Sequence, residues 1–147
     1  MRHGAMDCEV ACLLDNLHVS EQCVARIKEI LPNIGNQVCV NGNGDFFEDE
    51  IFGTETPHLL EHIIIELLGK VYNRPFKGHT SWAQELSQTA PDGFALMRVT
   101  VTFLDDMVAL AALKHALVLL EWALAEEFAD VVCVQAILDE LHDMITA

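Results

Sequence analysis

Basic residues are scarce: 8 Lys and Arg stand against 23 Asp and Glu, a formal net charge of −15 at pH 7. A surface of that sign repels a phosphate backbone, which excludes nucleic acid as a partner. No C-x-x-C pair occurs among the five cysteines, Cys8, Cys12, Cys23, Cys39 and Cys133. Their odd number and scatter argue against a disulfide framework or a zinc ribbon, and for reduced, structural thiols. Nor does a basic segment lead into an apolar stretch with a small-residue cleavage site, and no apolar run reaches about 18 residues. These absences predict a cytoplasmic protein with no membrane partner. Repeats and low-complexity tracts are missing too, as is a Gly-rich phosphate-binding loop, which excludes ATP-driven synthesis for this chain.

What is present is a chain of 147 residues, 52% of them hydrophobic, enough for one domain with a sizeable core. Residues 5 to 31 carry apolar side chains at helical spacing (Val10, Leu13, Leu14, Leu17; Val24, Ile27, Ile30), with Ser20 as a helix start and Pro32 to Asn36 as a stop. Val38-Cys39-Val40 reads as a short strand. Asp45, Glu48, Asp49 and Glu50 lack the ligand order of a calcium loop and read as solvated. A second helix starts at Thr56, which can cap, and Pro57, which suits the first turn; it runs to a stop at Gly69. Residues 76 to 82 suit a strand, and 84 to 93 a loop. Met97, Val99, Val101 and Phe103 alternate with Arg98, Thr100 and Thr102, the pattern of a half-buried antiparallel strand. Asp105-Asp106 open a long helix from 107 to about 128, and a last helix covers about 131 to 145. The expected class is α+β, a small antiparallel sheet with long helices packed on one face.

The chemistry sits in the second helix. His58-Leu59-Leu60-Glu61-His62 is H-x-x-E-H, the inverted zincin order. Residues i and i+4 share a helix face, so two imidazoles can converge on one ion, and Glu61 stands beside them as a general base for water. Two His and two Glu, Glu61 and Glu66, are costly in so apolar a helix without partners, and a metal provides one. Glu66, one turn beyond His62, suits a supporting role. A third ligand must come from another element, and His79, Asp105, Asp106, His115, Glu121 and Glu140 are all candidates by residue type. The bland reading is a hydrogen-bonded core pair with no metal.

The segment GTETPHLLEHIIIE, ending at Glu66, resembles a block in the N-terminal domain of cyanophycin synthetases. The likeness extends more weakly through residues 76 to 80, Pro91-Asp92-Gly93, the strand to Phe103, Asp105-Asp106 and Leu138 to Leu141, whereas residues 1 to 20 have no counterpart. That domain is similar to the inverted-zincin peptidases of the insulysin and mitochondrial processing peptidase group. The resemblance implies a metallopeptidase-like fold over residues 21 to 147. It implies zinc held by His58, His62 and Glu140, with Asp139 or Asp143 as alternatives to Glu140 if gaps intervene, and Glu61 as the catalytic base. It further implies hydrolysis of cyanophycin or a similar arginine-rich peptide, which the acidic surface suits. The alternative is a non-catalytic domain of the same fold, used for homo-oligomerisation or partner binding.

Overall fold

Met6, Cys8, Val10 and Cys12 point inward and alternate with exposed Asp7, Glu9 and Ala11. A period of two is a strand's, and Gly4–Leu13 forms β1 rather than the helix expected from the spacing of Val10 to Leu17. The computed structural model describes residues 4–39, 45–83, 93–127 and 132–146. β2 (Gly78–Trp82) and β3 (Phe94–Phe103) complete a three-stranded antiparallel sheet of order β1-β3-β2. Gly4 lies opposite Phe103 and Leu13 opposite Phe94, while Gly78 lies opposite Val101 and Trp82 opposite Met97. The expected half-buried strand is thus the central one: Met97, Val99 and Val101 are buried, and Arg98 and Thr102 face out.

Among the described residues four α-helices accompany the sheet. α1 (Glu21–Ile30) starts at Ser20, whose Oγ accepts from the Cys23 amide at 3.1 Å, as the sequence predicts. α2 (Thr56–Tyr72) begins with Glu55 in the capping position; Thr56 is inside the helix and its hydroxyl donates to the Asn16 carbonyl instead. Gly69 does not stop α2, which runs on to Tyr72 and ends at Asn73 in the left-handed conformation, φ 53°. α3 (Asp106–Leu124) is capped by Asp105, which accepts from the Met107 and Val108 amides. α4 is Val134–Thr146. α3 stops at Leu124, short of the expected 128, because Ala125 turns to extended backbone, and α4 starts at Val134 and not at 131, with 132 and 133 non-helical; the loop at 84 to 92 and Val40 lie outside the described residues. Val38 makes only a single bridge, to Phe46.

α2 is the hub. It touches all three strands as well as α3 and α4, and every residue from Thr56 to Ile65 is buried. Leu59, Leu60, Ile63, Ile64 and Leu67 share one core with Val99 and Val101 of β3 and Ala112, Ala116 and Leu119 of α3. Arg26 of α1 donates to the carbonyls of Trp122 and Ala123, tying α1 to the open end of α3. α3 is the one helix among the described residues long and apolar enough to cross a membrane, with mean hydropathy 1.7 and 39% of its window buried. Here it packs against α1, α2 and α4 and leaves Met107, Leu110, Leu117 and Val118 exposed.

Candidate metal centre

The helical repeat delivers the pair that H-x-x-E-H predicts. His58 and His62 are buried one turn apart on α2, and their Nε2 atoms approach to 3.2 Å. Each ring turns its other nitrogen to an oxygen: Thr54 Oγ1 lies 2.7 Å from His58 Nδ1 and Gln37 Oε1 lies 2.6 Å from His62 Nδ1. Phe47 stacks on His62 with centroids 3.8 Å apart and stands edge-on to His58. Rings held so firmly in one plane and at one nitrogen present the other nitrogen in a fixed direction.

The third donor is Cys39. Its Sγ is 3.4 Å from His58 Nε2, and the ligand atoms of Cys39, His58 and His62 all lie within 4.8 Å of one another. The cluster can hold a metal ion. Tetrahedral zinc with bonds of about 2.05 Å to nitrogen and 2.3 Å to sulfur separates N from N by about 3.3 Å and N from S by about 3.5 Å. The His58–His62 and Cys39–His58 spacings of 3.2 and 3.4 Å are within tenths of those values, and Cys39 and His62 lie within 4.8 Å of each other, so the three donors can converge on a metal ion. Cys39 therefore has a place beyond the structural one that its scatter suggests. The acidic segment is also not wholly solvated, since Cys39 Sγ donates to Glu50 Oε2 at 2.9 Å.

Glu61 faces the same spot. Its Oε2 is 3.4 Å from His62 Nε2 and its Oε1 3.9 Å from His58 Nε2. Thr80 of β2 donates to Oε1 at 2.7 Å. Burial pushes the Glu61 carboxyl up to about 7, opposed by the Thr80 hydrogen bond. Burial, reinforced by His58, takes His62 down to about 3, and burial also lowers His58. Neutral imidazoles beside a carboxyl poised near neutrality suit metal ligation and proton transfer.

Glu140 is not brought to the imidazoles. It lies exposed on α4, with Oε2 2.5 Å from His115 Nε2 of α3, and it is absent from the only three-donor cluster among the described residues. The other candidates are elsewhere too. Asp139 accepts from Gln135, Asp106 sits in the first turn of α3, and Glu121 and Asp143 are exposed on α3 and α4. Asp105 is committed to capping. His79 is exposed on β2, near enough to affect His58 but outside the donor set. A face-by-face reading of α4 explains Glu140: Ile137 and Leu141 take its buried stripe, which leaves residue 140 outward.

Two cavities meet at the cluster, sharing His58 and Thr80. One, of about 570 Å³, has Ile65, Pro75 and Phe76 in its wall and follows β2 from Gly78 to Thr80. The other, of about 490 Å³, continues along Thr80, Ser81 and Trp82 and carries Asp49, Glu50 and Glu55. Among the described residues β2 pairs with β3 alone, and its residues Gly78 to Trp82 line these cavities.

No protein-family model matches the chain, and no curated protein matches it.

Proposed function

We propose that the protein is a zinc-dependent peptidase or amidohydrolase of inverted-zincin type, with Cys39 in the third ligand position in place of a downstream glutamate. The observation that carries this reading is the convergence of Cys39, His58 and His62 within 4.8 Å, with Glu61 Oε2 3.4 Å from His62 Nε2. Zinc bound there would polarise a carbonyl and bring the pKa of water to about 7. Glu61 takes the proton from the attacking water and hands it to the leaving amine, with its Oε1 held by Thr80. The Cys39 proton has an acceptor in Glu50. Burial of His58 and His62 keeps them neutral and available as ligands.

An extended peptide is favoured over a small amide by the unpartnered edge of β2 beside the cluster. Asp49, Glu50 and Glu55 in the second cavity favour a cationic side chain there, in keeping with an arginine-rich, cyanophycin-like substrate. Purified protein is expected to carry about one zinc per chain by elemental analysis. Glu61→Gln should keep the metal and lose hydrolysis of an arginine-rich peptide, whereas Cys39→Ala should lose the metal. Folded, metal-free protein that takes up no added zinc overturns the reading. The rival reading, a non-catalytic oligomerisation or partner-binding domain, is favoured by the exposed Met107, Leu110, Leu117 and Val118 of α3. Self-association without zinc uptake would support it.

A further inference from the structure

The Gln37 side chain makes three hydrogen bonds, and together they leave its amide one orientation. Nε2 lies 2.8 Å from the His62 carbonyl oxygen and 3.0 Å from Glu66 Oε1. Both are acceptors, so the nitrogen of the amide must face them. Oε1 is then the atom 2.6 Å from His62 Nδ1, and an oxygen there can only accept. The proton of the His62 ring is thereby placed on Nδ1, and Nε2 is left with its lone pair. That lone pair is directed at His58 Nε2, 3.2 Å away, in the middle of the donor cluster.

The surroundings hold this arrangement from every side. Phe47 is stacked on the His62 ring at 12° between planes and blocks its rotation, and the Phe47 amide donates to the Gln37 carbonyl at 2.8 Å. The residue that fixes the plane of the ring is thus bonded to the one that fixes its proton. Glu66 is held in turn by Lys70, whose Nζ is 3.9 Å from Oε2 one turn along α2. At His58 Nδ1 the partner is the Thr54 hydroxyl, which can donate or accept, so this contact alone does not set the His58 tautomer. The Thr54 hydroxyl can accept from an Nδ1–H, the tautomer in which His58 Nε2 keeps its lone pair, or donate to Nδ1 when the proton sits on Nε2.

We propose that Gln37 is the positioning residue that makes His62 a metal ligand: its amide fixes the Nδ1–H tautomer and so keeps the Nε2 lone pair on the cluster. The inference rests on the metal reading for its purpose, though the tautomer itself does not depend on a metal. A hydrogen-bonded partner behind a ligating imidazole raises its basicity and fixes its aim, and loss of such a partner weakens metal affinity about 10–100-fold.

Two measurements test it. Ring-nitrogen NMR of wild-type protein stripped of metal should show His62 protonated at Nδ1; the Nε2–H form overturns the proposal whatever the variants do. In competition titrations with zinc alone against a chromophoric chelator, Gln37→Leu should bind about 10–100-fold more weakly than wild type. A folded Gln37→Leu that binds like wild type overturns the proposal alone. A wild-type chain that takes up no zinc overturns the metal reading, and the role of Gln37 falls with it. Should Gln37→Leu fail to fold, the wild-type tautomer decides.

Discussion

Gly78 lets β2 close on Glu61. A Cβ at that position would lie 2.8 Å from Glu61 Cγ and 2.9 Å from the Thr100 carbonyl oxygen, and the backbone contact cannot be relieved by a rotamer change. Gly78→Ala should lower stability by about 1–3 kcal/mol in urea unfolding, the usual cost of overpacking. The titrations of the cluster also have a definite sign in metal-free protein. His62, at about 3 instead of its ordinary 6.5, stays neutral when folded while the unfolded chain takes up a proton below 6.5. Its contribution to stability is present above 6.5 and lost as pH falls, and His58 acts in the same direction. Glu61, at about 7 instead of 4.5, does the opposite: the folded form holds the proton, which favours folding at low pH and ceases to do so as pH rises through 7. Between pH 4.5 and 6.5 the carboxyl offsets part of the histidine loss. Glu61→Gln should therefore steepen the acid loss in that window by about 1.4 kcal/mol per pH unit, read from urea midpoints. His58, Glu61 and His62 were legible in the sequence because one helical period relates them. Cys39 was not, because its distance from His58 depends on the Val38–Phe46 bridge and on Phe47, which no local period encodes.

At the scale of elements, α2 and β3 were readable because each shows one clear period, whereas residues 5 to 17 show two. Met6, Cys8, Val10 and Cys12 alternate, while Val10, Leu13, Leu14 and Leu17 have helical spacing. Pairing with β3 along all ten residues of β1 decides for the strand. α2 depends on burial for its stability. Leu60, fully buried near its N-terminal end, should cost about 2–5 kcal/mol when changed to Ala, checked by thermal or urea unfolding. α3 depends in part on its cap: Asp105→Ala removes the acceptor of two first-turn amides and should cost about 0.5–2 kcal/mol. The boundaries that differed from expectation have local causes. The Thr56 hydroxyl is used by the Asn16 carbonyl and cannot cap, and Gly69 sits inside α2, where its carbonyl accepts the closing bond from Asn73.

Over the whole molecule, the α+β class and the placing of helices against one face of a small sheet follow from the order of periods along the chain. The charge of −15 gives a further measurable consequence. If the substrate is cationic, kcat/KM for an arginine-rich peptide should fall as salt rises from about 10 mM to 150 mM, where the Debye length shrinks from about 30 to 8 Å. A neutral peptide of equal length should show little change. The sheet order has a consequence in time. β3 lies in the middle, and β1 can pair only after it exists: Gly4 waits for Phe103, and Leu13 for Phe94. Everything that builds the donor cluster lies between those partners in the chain. On a ribosome the H-x-x-E-H helix emerges long before the strand that closes the sheet, and the loop that must be closed, from Leu13 to Phe94, takes up more than half of the chain. The entropy of closing so long a loop places β1 docking after the helices and the β2–β3 pair have packed. Substitutions in β1 should thus accelerate unfolding while leaving the folding rate almost unchanged, the kinetic mark of the last piece to dock.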